Sequence, residues 1–151
     1  MLKKNIEFFT SLNAQEVVYC QFKSTDHIEA GLNGRTDLDL LVSSKDCDEF
    51  ERLAKEHNFK KTKAGHGSSD KSREGYLGYD YEAAQFIYLD VHYTVIIGRD
   101  RVRELHSLNL ANQILSRRVL HNKFPIFIPD RNDELSLLFL RIVMKLTFFK
   151  L

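Results

Sequence analysis

The sequence has little that would mark a secreted, membrane-spanning or strongly nucleic-acid-binding protein. Cysteine is scarce: Cys20 and Cys47 stand far apart, with no CxxC and no Cys/His ligand spacing. That excludes a disulfide framework and a zinc site of ordinary spacing; both residues fall at apolar positions of predicted elements and are expected to be core thiols in a reducing compartment. An excess of one charge is missing too, with 22 Lys and Arg against 21 Asp and Glu. A net charge of +1 gives no bulk electrostatic case for wrapping extended nucleic acid or coating an anionic membrane. No uncharged apolar run approaches the roughly 20 residues of a membrane span. The opening MLKKNIEFF has a basic start but no sustained apolar core and no small-residue cleavage site, so it is not read as a signal peptide. The expected location is cytoplasmic. Walker A, GxGxxG, GxSxG and HExxH motifs are absent, and no Glu is followed two residues later by Lys, as a carboxylate-lysine nuclease would require.

What is present is an ordinary globular composition, 43% hydrophobic and 28% charged over 151 residues, enough for one real core. Leu2 to Leu12 predicts an amphipathic helix with Ile6, Phe9 and Leu12 on one side. Val17 to Phe22 and Asp37 to Val42 predict strands. Ser43 and Asp46 form a helix start signal, and Cys47, Phe50, Leu53 and Ala54 give the helix that runs to about His57 one apolar face. Phe59 to Lys63 predicts a short edge strand, and Ala64 to Gly75 (AGHGSSDKSREG) a loop. YLGYDY and FIYLDVHYTVII predict two strands joined near Glu82 to Gln85. Arg101 to Arg118 predicts a helix, Pro125 and Pro129 bracket an extended piece, and Asp130 caps a last helix. From Leu135 to Leu151 that helix is apolar nearly all round, interrupted by Arg141, Lys145 and Lys150. Such a helix normally packs on both sides. Residues 1–120 are therefore expected to form the main domain. Residues 121–151 would begin a C-terminal helical segment that continues into a further domain or packs on a second copy as a homodimer.

The stretch NGRTDLDLLV, Asn33 to Val42, raises the chemical question. Residues two apart in a strand point the same way, so Asp37 and Asp39 share a face while Leu38 and Leu40 face the core. Two such carboxylates repel unless a positive charge lies between them, and a divalent cation supplies it; the alternative is a solvated pair at a sheet rim. Downstream, FIYLDVHY sets Phe86, Tyr88, Asp90 and His92 on one face of a strand. A carboxylate there is costly unless paired or metal-bound. If the two strands are neighbours, Asp37, Asp39 and Asp90 converge in a constellation suited to phosphoryl or nucleotidyl transfer.

The order strand, short helix, D-x-D strand, helix and later Asp-bearing strand resembles the nucleotidyltransferase superfamily typified by polymerase β. More narrowly, YCQFKSTDHIEAGLNGRTDLDLLV with IYLDVHYTVIIG resembles small bacterial nucleotidyltransferase-like domains, over about Val17 to Gly98. The resemblance implies an α/β (α+β) fold, a mixed β-sheet flanked by helices with a C-terminal helical segment. It implies Mg²⁺ or Mn²⁺ held by Asp37, Asp39 and Asp90 as the catalytic carboxylates. In that superfamily the first strand ends in Gly-Ser or Gly-Gly beside the nucleotide phosphates; here the place reads Lys23-Ser24. Either Ser24 and Lys23 bind the phosphates in another way, or nucleotide binding has weakened.

Other residues keep two readings. Asp80 rivals Asp90 as third carboxylate. His92 either touches a phosphate or is a satisfied strand residue, and Arg35, after Gly34, either reaches a phosphate or is solvated with Thr36. Lys71 and Arg73 in the loop either close over a triphosphate or serve solubility. The acidic run Asp46, Asp48, Glu49 and Glu51 suits a helix N-terminus, and Gly31 to Gly34 is a bare GxxG. Three functions follow. The first is a metal-dependent nucleotidyltransferase moving a nucleoside monophosphate from a triphosphate to a small-molecule or protein acceptor. The second is an inactive module of the same fold for nucleotide sensing or docking, and the third a toxin–antitoxin component.

Overall fold

The computed structural model describes residues 1–23, 25–62, 72–99 and 103–146. The chain is α/β, built on a five-stranded mixed sheet with helices on both faces. Helix α1 (Lys3–Ala14) leads into β1 (Tyr19–Gln21). A turn of 3-10 helix (Thr25–His27) and the short α2 (Ile28–Leu32) lead to β2 (Leu38–Val42). Then come α3 (Cys47–Glu56), β3 (Lys60–Thr62) and the hairpin β4 (Arg73–Asp80) and β5 (Gln85–His92). The sheet order is β1-β2-β5-β4-β3, and β2 and β5 are its parallel pair.

Alternation decides which face each side chain takes. Leu38, Leu40 and Val42 of β2 join Ile87, Leu89 and Val91 of β5 against Phe8, Phe9 and Leu12 of α1 and Phe50 of α3. Burying each such side chain is worth about 1.5–3 kcal/mol. Phe8 is the hub, with the rings of Phe9, Phe50, His57 and Phe59 all within 5.7 Å of its own. On α1 the buried stripe is Asn5, Phe8, Phe9 and Leu12, and Ile6 is exposed, so the apolar side expected through Ile6 is rotated toward Phe8.

The other sheet face carries Cys20, Phe22 and Leu41 under a second layer. Strand β6 (Val95–Arg99) pairs with β7 (Arg103–Ser107), and α4 (Leu108–Arg117) follows. Strands β8 (Val119–Leu120) and β9 (Phe127–Ile128) form a small ladder before α5 (Arg131–Leu146). Ala111, Ile114 and Leu115 of α4 and Leu137 of α5 complete this layer.

Two expectations are corrected here. FIYLDVHYTVII is two strands, because the chain bends at Tyr93, whose N–H donates to Ser72 O, and β6 leaves for β7. The helix expected from Arg101 begins at Leu108; pairing with β6 overrides helix propensity up to Ser107, whose hydroxyl accepts from Leu110 N–H as the N-cap. Asp46 stands at the N-cap position of α3 but its carboxylate accepts from Val18 N–H, tying α3 to the lead-in of β1. At α5 the expected cap holds: Asp130 accepts from the N–H groups of Asn132 and Asp133. Leu137 is buried and Leu140 and Met144 pack on the same layer, while Leu135, Leu138, Phe139 and Ile142 are exposed. Residues 147–151 of that predicted helix, Lys63 of the predicted edge strand and residues 64–71 of the predicted loop lie outside the described residues. Cys20 is buried as expected and Cys47 is half-buried, its thiol donating to Asp48. No helix among the described residues is long and apolar enough to cross a membrane.

Candidate metal centre

The parallel register sets Asp39 of β2 directly beside Asp90 of β5. Both project from the sheet face opposite the α1–α3 core, and His92, two residues on, shares that face. Asp39, Asp90 and His92 each offer a ligand atom, and these atoms lie within 4.8 Å of one another. His92 Nε2 is 3.1 Å from Asp90 Oδ2 and 3.7 Å from Asp39 Oδ1. His92 is buried and its ring meets Phe22 edge-on at 5.2 Å.

Among the described residues, two cations enter this group. Lys23 follows β1, which is held beside β2 by Phe22 N–H donating to Asp39 O. Its Nζ lies 3.0 Å from Asp39 Oδ1 and 3.0 Å from His92 Nε2. Arg73 stands opposite His92 in the β4–β5 register and grips Asp90 with both arms, Nε to Oδ1 at 2.7 Å and a terminal nitrogen to Oδ2 at 2.6 Å. Burial pushes the Asp90 carboxyl upward, but the hydrogen bonds and charges of His92 and Arg73 outweigh it and hold the group well below the usual carboxylate range. Arg73 in turn is raised, chiefly by its hydrogen bonds to Asp90.

The structure thus brings together Asp39, Asp90, His92 and Lys23 from the residues singled out in the sequence. Asp37 precedes β2, is exposed, and accepts from the Thr36 hydroxyl; it lies outside the group of converging ligand atoms. Arg35 is exposed. Ser24 and Lys71 lie outside the described residues. Arg73 was expected in a loop and is instead the first residue of β4. Its pairing with Asp90 is fixed by cross-strand register, a non-local signal that sequence periodicity does not carry. Asp80, the rival third carboxylate, pairs in register with Gln85, about 17 Å along the hairpin from Asp90 at 3.4 Å per residue. It is buried and accepts backbone N–H bonds from Lys4, Glu82 and Ala83, which fasten α1 to the hairpin turn. Beside it, Lys3, Glu7, Tyr79 and Tyr81 line a shallow cavity of about 200 Å³, separate from the acidic group.

Asp39, Asp90 and His92 form a group that could hold a metal ion. Two carboxylates and an imidazole are metal-ligand types, and they converge from two adjacent strands of a packed core. The second ring nitrogen, Nδ1, is buried without a hydrogen-bond partner among the described residues, so the imidazole's orientation is set by packing against Phe22 and by what Nε2 meets. Compared with protein-family models, with curated proteins and with solved structures, the chain matches none.

Proposed function

We propose that this chain is a metal-dependent nucleotidyltransferase. The observation that carries the reading is the register that sets Asp39 against Asp90 on adjacent parallel strands, with His92 completing a three-donor group. Asp39, Asp90 and His92 would hold the ion, Mg²⁺ or Mn²⁺, which when bound neutralises phosphate charge and orients the phosphate oxygens. An acceptor oxygen would attack the α-phosphorus of a nucleoside triphosphate, the new P–O bond forming as the bond to the bridging oxygen breaks and pyrophosphate leaves, with any acceptor proton passing to water.

The residues themselves divide the work. Asp90 is gripped by Arg73 and depressed in pKa, so it suits a fixed ligand and not the base that accepts the acceptor's proton. Arg73 fixes the plane of that carboxylate, and with a side chain 58% exposed it also presents positive charge to the site's rim. Asp37, on the exposed lip before β2, is free to meet solvent-borne ligands. The near-neutral chain favours a small-molecule or protein acceptor over a polynucleotide.

One observation favours the second reading, an inactive module of the same fold: Lys23 and Arg73 already neutralise both carboxylates. Thermal shift with each nucleoside triphosphate, with and without Mg²⁺ or Mn²⁺, separates the two. Ligand at 100 times its dissociation constant stabilises by about 2.7 kcal/mol, several degrees for a chain of this size. A metal-dependent shift lost in Asp39→Asn is the expected result. A folded protein that no triphosphate shifts would reduce the chain to an inactive docking module.

A further inference from the structure

His92 Nε2 cannot serve both of its close neighbours, Lys23 and Asp90, at once. His92 Nε2 sits 3.0 Å from the Lys23 ammonium and 3.1 Å from Asp90 Oδ2. A ring nitrogen either donates or accepts. If Nε2 accepts from Lys23, it has no proton for the Asp90 oxygen, and two acceptors face each other at 3.1 Å. If it carries a proton and donates to Asp90, it has no lone pair for the ammonium, and two donors face each other at 3.0 Å. Nδ1, buried and without a partner among the described residues, relieves neither arrangement. A lone pair on Nε2 flanked by two carboxylate oxygens asks instead for a cation without protons.

We propose that Lys23 is a tethered counter-ion that competes with a divalent cation for Asp39 and His92, so that the ion binds only as the ammonium withdraws. This rests on the reading of Asp39, Asp90 and His92 as the metal ligands. Three observations carry it. The Lys23 ammonium is 3.0 Å from one ligand atom of Asp39 and 3.0 Å from that of His92, within the group whose donors lie inside 4.8 Å. The side chains of Lys23 and Asp39 are 21% and 18% exposed, so the ammonium has a way to solvent without unpacking the core. Lysine also swings on four carbons as a single point charge, whereas Arg73 is held on Asp90 by two bonds and stays. Arg73 thus keeps Asp90 in place while Lys23 exchanges. A withdrawn ammonium lies beside the ion, where a polyphosphate would meet it.

The test is a Mn²⁺ titration of the full chain, read by loss of the free-ion electron paramagnetic resonance signal. The proteins are wild type, Lys23→Met, Lys23→Gln and Lys23→Met/Asp39→Asn, each checked for a cooperative melt. Removing the competitor should tighten Mn²⁺ binding by about tenfold or more in both single variants, since a paired charge no longer has to be displaced. The double variant should lose that gain. Melting gives the second readout: without Mn²⁺ the single variants melt below wild type because Asp39 has lost its partner, and Mn²⁺ restores them more than it raises wild type. Tight binding by Lys23→Met beside a silent wild type would also support the proposal, with Lys23 holding the native site closed. Equal or weaker binding by both single variants, with wild type binding Mn²⁺, would overturn it and leave the metal site standing. Failure of every folded protein to bind Mn²⁺ would overturn both.

Discussion

Asp80 and Asp90 are buried carboxylates on adjacent strands, and their partners separate them. Asp90 is held by side chains, Asp80 by backbone N–H groups from Ala83, Lys4 and Glu82. Those bonds, Ala83 first, hold the Asp80 carboxyl below the usual carboxylate range. A depressed carboxyl contributes its full stability above the unfolded pKa of about 3.9 and loses it as the pH falls through the folded value. Asp80→Asn is therefore expected to cost about 1–3 kcal/mol at pH 7 and progressively less as the pH falls through the depressed folded value; urea denaturation from neutral to acid pH reads the difference. The thiols differ as well. Burial raises the Cys20 thiol far above its ordinary value, and burial with the Asp48 charge raises Cys47 less deeply in the fold. Thiol titration of the native protein should label Cys47 slowly and leave Cys20 unlabelled until the chain unfolds. Strand periodicity exposed much of the candidate site at this scale: Asp90 and His92 are two apart, and Asp39 lies in a run whose neighbours are all apolar. Arg73 was hidden because the residues around it are the Gly, Ser and charged residues of a loop, and only its register with β5 reveals its partner.

At the scale of elements, local signals succeeded where the chain's own chemistry decides and failed where distant pairing does. The edge position of β3 and the cap at Asp130 follow from nearby residues. The strand β7 does not: its conformation comes from β6, so the sequence pattern alone predicts helix. Ser107 then starts α4, and Ser107→Ala should cost about 1 kcal/mol, seen as a lower urea midpoint with an unchanged slope. The lead-in to β2 turns on Gly34, whose φ of 69° is left-handed. A Cβ there would lie 2.7 Å from the Phe86 carbonyl oxygen and 2.6 Å from Gln85, the residue whose amide donates to Gly34 O. Gly34→Ala is accordingly expected to destabilise by about 1–3 kcal/mol. Because this turn presents Asp37 and starts the strand bearing Asp39, the same variant should also weaken Mn²⁺ binding in the titration described above.

For the whole molecule, β2 and β5 serve both layers, presenting leucine and valine to one core and Asp39, Leu41, Asp90 and His92 to the other face. Phe8 holds the first layer together, and truncating it opens a void among four rings. Phe8→Ala should cost about 3–5 kcal/mol, a large part of the 5–15 kcal/mol typical of a domain, and lower the melting temperature by many degrees. The parallel pairing of β2 with β5 also bears on how fast the molecule forms. Asp39 and Asp90 are about fifty residues apart along the chain, so their contact awaits closure of a long loop through α3, β3 and β4. Until Lys23 and Arg73 are in position, the closing strands carry two like charges toward each other. The carboxylates therefore oppose the step that joins them, and refolding should quicken with added salt and in Asp39→Asn. A chain built this way gives up folding speed to place its acidic pair in the middle of the sheet.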